Sequence, residues 1–463
     1  MHFKARAAAA LADPQLQRGL AKVDGFAAKR AEVVREYTGD FEELRAAGAA
    51  IRDRGLADLD VWIERFEQEA TRRGVTVLFA ERGEDIAPLV LDICRRHGLT
   101  KAIKSKSMLS EEAGLNAALA ANGVQPVETD LGEYICQLAD EPPSHIIAPV
   151  IHKTKDEVAS LFERHHHRPR LDEAEQMTRE AREILRPHFL SADLGITGGN
   201  FLIAETGSVA IVTNEGNGRM VTTLPRVHIA ITGIEKVIPT LEDLSTLMRL
   251  LPRSATGQHI SNYVSVLTGP RAPGDRDGPE HMYVVLVDNG RSNLVGGALH
   301  EMLRCIRCGA CMNHCPVYQA VGGHAYGWVY PGPMGSVLTP AYMGLENALD
   351  LPQAATLCGA CSVVCPVKIP LPELLRKLRE MQVERKLRPP LERLALRAWD
   401  WAARHPRVYA LLAALGVRAL RILAGRNGMI RKLPFDPGWT QGRDMPAPRG
   451  KTFRELYASR AKR

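Results

Sequence analysis

Four cysteines, Cys305, Cys308, Cys311 and Cys315, closed by Pro316, constrain this chain more than any other feature. A C-x2-C-x2-C-x3-C-P run is the spacing in which three thiolates from one chain turn surround a single cubane while the fourth ligates the other of two clusters. Thiolates are soft ligands that match iron–sulfur clusters, Gly309 lets backbone amides approach sulfur, and Pro316 ends the turn. A second string, Cys358, Cys361, Cys365 and Pro366, repeats the last three positions, but the residue three before Cys358 is Ala355. Under exchange of the last cysteines, one cluster takes Cys305, Cys308, Cys311 and Cys365. The other takes Cys315, Cys358 and Cys361 and lacks a fourth thiolate, which suits a three-iron centre or a four-iron centre with an unusual fourth ligand. Structural zinc, the rival reading of C-x2-C pairs, wants four ligands per ion and fits a set of four plus three poorly.

Seven of the nine cysteines lie between Cys305 and Cys365, and the odd total does not suit a disulfide scaffold. Cys94 and Cys136 sit in helical patterns and read as small buried hydrophobes. The apolar run Ala7 to Ala12 is too short and weak for a secretory signal, and Asp13 and Pro14 follow it. A reducing, cytoplasmic setting is therefore expected. Hydrophobic residues at 45% and charged ones at 24% argue for globular folding. The net charge of +7 is uneven, because residues 366–463 carry 23 Lys and Arg against 8 Asp and Glu and the residues before them are net acidic. In that basic region the apolar stretch Val408 to Ala424 contains Arg418 and Arg421. It falls short of a membrane span and reads as an amphipathic helix. Such a tail suits an acidic partner or an anionic membrane surface, or else packs on the chain's own core. No nucleic-acid-binding signature accompanies the charge.

Periodicity divides the rest. Residues 1–70 are Ala-rich and helical in pattern. From about residue 71 to 292, short apolar runs at Val75 to Ala80, Lys101 to Lys104, His145 to Ala148, Phe201 to Ala204, Ser208 to Thr213, Arg226 to Thr232 and Met282 to Val287 predict strands. Helices are predicted between them at Glu84 to Arg96, Ser110 to Asn122, Lys155 to Phe162, Leu171 to Pro187 and Leu241 to Leu251. Helical crossovers imply an α/β domain with a largely parallel sheet, and closer strands between 192 and 232 suggest added antiparallel hairpins. Residues 293–385 hold the cysteine strings, and 386–463 form the basic helical extension, with an extended or partly ordered tail from Leu433 to Gly450.

Two stretches extend the motif reading: CIRCGACMNHCPVYQAVGGHAYGWVYPGPMGSVLTP from Cys305 to Pro340, and LCGACSVVCPVKIPLPELL from Leu357 to Leu375. With the segment from Thr197 to Leu244, which looks like a lactate-utilisation (LUD) domain, they resemble the LutB family of iron–sulfur proteins, as does the basic extension. The resemblance implies an isomerase- or CoA-transferase-like α/β LUD domain followed by an α-helical two-cluster ferredoxin domain. It implies a non-catalytic electron-transfer subunit of an L-lactate oxidation complex, lactate to pyruvate, beside a cysteine-rich subunit and a second LUD-domain subunit. Other hydroxy acids such as glycolate, heterodisulfide-type chemistry, and a LUD domain that is itself a small-acid enzyme are the alternatives.

Three further features have bland readings. Gly216, Gly218 and their neighbours lack the third glycine of a dinucleotide fingerprint, which disfavours NAD and favours hairpin turns, although Glu205, Asn214, Glu215 and Arg219 would suit a small acid if they converged. Lys104, Ser105, Lys106, Ser107 and Ser110 precede a helix and read as capping rather than an anion site. His165, His166 and His167 read as a solvated loop.

Overall fold

In a computed structural model of the chain these patterns assemble into two compact units, Met1–Met381 and Gln382–Arg463. The structure describes all residues except 22, 262, 434–439, 441–442 and 461–463.

Ten strands are described in the first unit. They are β1 (Val75–Ala80), β2 (Lys101–Ser105), β3 (Gln125–Glu128), β4 (Leu194–Gly198), β5 (Phe201–Ile203), β6 (Ser208–Thr213), β7 (Val227–Gly233), β8 (Val237–Ile238), β9 (Tyr263–Leu267) and β10 (His281–Val287). Six form an all-parallel sheet in the order β1-β10-β7-β4-β2-β3. A parallel sheet is covered on both faces, so its central strands read as unbroken apolar runs. Every residue of β7 is buried. One face packs on Ile86, Val90, Ile93, Leu115 and Leu119, and elsewhere Phe66, Leu202 and Val209 join β1 and β10 in a second core cluster. The smaller sheet, β8-β5-β6-β9, supplies the antiparallel hairpin expected between Phe201 and Thr213.

Three expectations are corrected. His145 to Ala148 forms bends rather than a strand, because His145 Nδ1 accepts the amides of Ile147 and Ala148 at 3.1 and 3.2 Å and so removes ladder donors. Gly216 and Gly218 do not make a hairpin. Gly216, at φ 82°, precedes the short helix Asn217–Thr223, whose first residue is buried. The helix expected from Ser110 to Asn122 is two helices, Met108–Glu112 and Leu115–Ala121, parted by Gly114 in the left-handed region.

Residues 1–72 form five helices, from Phe3–Ala12 to Leu59–Arg72, that belong to the same unit as the sheet. Asp13 and Asp40 cap the second and fourth by accepting amides of the first turn. The Phe3 ring lies 5.1 Å from that of Tyr326, so the first helix reaches the cysteine-bearing region. That region is α-helical, with Ala310–Asn313, Pro316–Val321, Gly332–Met343 and Ala360–Val363.

The second unit holds helices Pro390–Arg404, Pro406–Leu423 and Phe453–Arg460, and the strand pair Met429–Ile430 and Met445–Pro446. No residue of Pro406–Leu423 is buried, and Leu411, Leu415 and Ile422 are exposed. The tail expected to be extended, Leu433 to Gly450, lies partly outside the described residues. Among those described, no helix is long and apolar enough to cross a membrane.

Candidate functional site

The two cysteine strings fold as the same turn used twice. Arg307 and Leu357, each preceding a cysteine, lie at φ 58° and 56°; Gly309 and Gly359, each following it, lie at 76° and 86°. Glycine meets no steric cost there, whereas a non-glycine residue held in the left-handed region marks a backbone that its surroundings impose. A four-residue helix follows each glycine, Ala310–Asn313 and Ala360–Val363. Ala355 stands where Cys305 stands in the first turn, and its carbonyl accepts a hydrogen bond from Arg379 at 3.0 Å.

The thiols divide into two sets. Cys305, Cys308, Cys311 and Cys365 line one apolar cavity with Met302, Ile306, Met334 and Ile369. Burial pushes the Cys308 thiol up to about 12, with repulsion from Cys365 and Cys305 adding to it. Cys311 is raised by burial and then by Cys308, Cys305, Cys361 and Cys365. In the other set burial raises Cys361 to about 12, with Cys315 and Cys358 adding. Cys315 and Cys361 are buried, whereas Cys358 is exposed and its thiol is lowered by the hydrogen bond from the Thr356 side chain and by the Ala360 amide. Crowded buried thiols resist ionising unless a cationic centre among them takes up the charge, which is what a thiolate-bound metal cluster provides. Among the described residues no three of these sulfurs lie within 4.8 Å of one another.

The family comparisons match this division of the chain. A LUD domain spans residues 63–287, a 4Fe-4S dicluster domain 301–369, and a lactate utilisation protein B C-terminal domain 375–462. Lactate utilization protein B of Bacillus licheniformis is 43% identical over 99% of this chain and 97% of its own length. The chain belongs to the lactate utilization protein B family. The Bacillus subtilis protein of that name is also 43% identical, over 92% of this chain and 89% of its own. Among solved structures, a Deinococcus radiodurans protein covers half of this chain and 98% of its own at 15% identity and a TM-score of 0.28, too distant to bear on the fold.

What holds the strings in this lactate utilization protein B family member is a set of cations that no motif announces. Arg30 donates to the Val364 carbonyl at 2.9 Å, and Arg45 to the carbonyls of Cys365 and Ser362 at 2.9 and 3.2 Å. Arg52, fully buried, donates to Val237 at 3.0 Å, to Leu303 at 3.1 Å and to Glu235, tying the LUD sheet to the start of the first string. Lys236 donates to the Cys305 carbonyl at 3.0 Å. His145 Nε2 donates to Asn313 Oδ1 at 2.9 Å; burial lowers this imidazole to about 4, so it stays neutral as its accepting Nδ1 requires. The only signal in the sequence was arginine at Arg45 and Arg52, seven residues apart and thus on one helix face, where core residues would otherwise stand.

The remaining candidates separate. Ser107 caps its helix by accepting the Ser110 amide at 3.2 Å, and Lys104 is buried against Glu128 at 2.6 Å, as the capping reading expects, whereas Lys106 lines a cavity. Glu205, Asn214, Glu215 and Arg219 do not converge. Asn214 and Glu215 line one cavity, while Glu205 accepts the Leu241 amide and Arg219 lies over the Tyr263 ring at 5.3 Å. The histidine tract is no solvated loop: His165 and His166 end the helix Lys155–His166, and the buried His166 side chain bonds Glu180 at 2.6 Å and Tyr134 at 2.9 Å. Cys94 and Cys136 are buried in helices as expected. Sequence reading missed the trio Glu141, His152 and His324, whose ligand atoms lie within 4.8 Å of one another.

Proposed function

We propose that this chain is the iron–sulfur electron-transfer subunit of a lactate-utilisation complex that oxidises L-lactate to pyruvate. It would work with a cysteine-rich subunit and a second LUD-domain subunit. The observation that carries the reading is the partition of seven thiols into a deep set of four and a shallower set of three, in a chain of this family. Cys305, Cys308, Cys311 and Cys365 are assigned to one cluster, and Cys315, Cys358 and Cys361 to the other, with each string lending its last cysteine across. A cluster bound in either set supplies one-electron redox chemistry.

The protein's own residues do the rest. Arg30, Arg45 and Arg52 fix the strings through their carbonyls, and Met302, Ile306, Met334 and Ile369 keep water from the deep set. The shallow set is bordered by exposed apolar residues, Val363 at 70% and Leu357 at 39%, which suit a partner's surface. The isomerase- and CoA-transferase-like reading of the LUD core belongs to the same proposal.

Reconstitution tests it. The isolated chain is expected not to oxidise L-lactate and to restore lactate-dependent dye reduction when the partner subunits are added, whereas robust turnover by the chain alone would overturn the reading. The missing thiolate gives a narrower prediction. Ala355→Cys should shift the EPR spectrum of the shallow cluster toward a four-iron type, and an unchanged spectrum would mean that another group already fills that position.

A further inference from the structure

The parallel sheet has a topological switch point. The chain leaves β2 toward β3 on one side and leaves β4 toward β7 on the other, so the loops part between β2 and β4. Open α/β sheets bind ligands in the crevice that such a parting opens beyond the carboxyl ends of the strands. A cavity of about 300 Å³ occupies this place, walled by Ser105–Ser107 at the end of β2, Gly198–Asn200 at the end of β4, and Thr232 and Gly233 on β7. That volume is at the low end for ligand sites, which suits a molecule well below dinucleotide size.

The charges on the wall narrow the ligand. Four cationic side chains, Lys106, Lys236, Arg291 and Arg307, and three acidic ones, Asp130, Glu215 and Glu235, line the cavity. Arg291 is committed to Glu112 and Glu235 at 2.9 and 3.0 Å, and Arg307 to Glu235 at 3.6 Å. Asp130 accepts the amides of Gly132 and Glu133, and Glu215 accepts that of Leu131. Among the described residues, Lys106 makes no hydrogen bond or ion pair, and the buried Lys236 donates only to the Cys305 carbonyl. Lys106 is also held at φ 20°, a region a lysine avoids unless its surroundings fix it there. Among the described residues Lys106 has no hydrogen-bond partner and Lys236 gives its ammonium only a carbonyl, so both leave donors on the wall of one cavity that an anion would fill. The three carboxylates on the same wall favour a monoanion over a dianionic phosphate.

We infer that the crevice binds a small monocarboxylate of the hydroxy- or oxo-acid class between Lys106 and Lys236. Ile146 and Arg307 line both this cavity and the one enclosed by Cys305, Cys308, Cys311 and Cys365, so the ligand would lie one layer of side chains from the deep thiol set. Binding stands apart from the cluster assignment; any effect of the ligand on redox behaviour rests on the proposed function.

Calorimetric titration of the full chain, with iron and sulfide measured separately, tests the inference. L-lactate, pyruvate and glycolate are compared with uncharged lactamide and with inorganic phosphate. At least one acid should bind saturably at one site per chain. Lactamide should not bind, and because a charge-assisted contact is worth more than about 1.4 kcal/mol, Lys106→Gln should weaken binding about tenfold or more. Lys236→Gln is the second variant and should do the same. No saturable binding of any acid, equal binding of lactamide or phosphate, or unchanged affinity in both folded variants would overturn it. Failure in a chain with full iron content would leave the electron-transfer reading intact, whereas acid binding in an iron-poor chain would strike that reading alone.

Discussion

Cys365→Ala is expected to abolish the cluster of the first string while sparing that of the second, although Cys365 belongs to the second string. Its thiol lines the same cavity as Cys305, Cys308 and Cys311, and the Ile369 amide donates to its sulfur at 3.4 Å. Outer groups around a metal site are typically worth 10 to 100-fold in affinity or activity, so loss of a direct ligand should cost the reconstituted complex more than about 100-fold in lactate-dependent turnover. The anaerobically purified variant should keep about half of its iron if the two clusters load independently. Cys361→Ala is the companion, since that thiol sits with Cys315 and Cys358 and should remove the other EPR signal. If both variants lose the same signal, the strings do not exchange their last cysteines and each cluster is built within one string.

The turn at Gly309 and Gly359 was legible in the sequence because it needs only its own few residues. Strands β1, β6, β7 and β10 were legible for a similar reason: each is a largely apolar run rich in β-branched residues, whose burial is written into its composition. What failed to show was whatever depends on distant partners. β3 is four residues with Pro126 inside it, and it is a strand only because β2 lies beside it in register from Lys101 to Lys104. His145 to Ala148 has the composition of a strand, and one imidazole nitrogen taking two amides overrides it. The arginine clamps were invisible because their partners are carbonyls, which every residue has, lying 183 to 334 residues away in the chain. The switch-point cavity likewise exists only once the strand order is known. The cysteines that line the deep cavity could therefore be picked out in the sequence, whereas the groups that hold and surround them could not.

Arg291→Met should be the most destabilising single substitution outside the cysteines, by about 5 kcal/mol, the upper end of what breaking a buried ion pair costs. Its guanidinium reaches Glu112 through two nitrogens, at 2.9 and 3.2 Å, and Glu235 at 3.0 Å, and all three side chains are almost wholly buried. It also lies over the Tyr342 ring at 4.6 Å, and Tyr330 donates to Glu112 at 2.6 Å, so the network joins the LUD sheet to the cysteine-bearing region. Methionine fills much of the volume, so the cost is electrostatic: two carboxylates lose their shared cation in a place without water. The pH dependence separates this from a packing defect. Burial pushes the Glu235 carboxyl up, and Arg291, ahead of Lys236 and Arg307, leads the cations that hold it below the usual carboxylate range. In the parent a lowered folded pKa contributes stability that is present above the unfolded value of about 4.3 and is lost as the pH falls through the folded one. In the variant burial dominates and the folded pKa rises, so protonation favours the folded state. The gap in urea midpoint between parent and variant should accordingly narrow from pH 7 toward pH 5. A gap that stays constant over that range would mean that Arg291 stabilises the fold by packing, and that the carboxylates beside it find other partners.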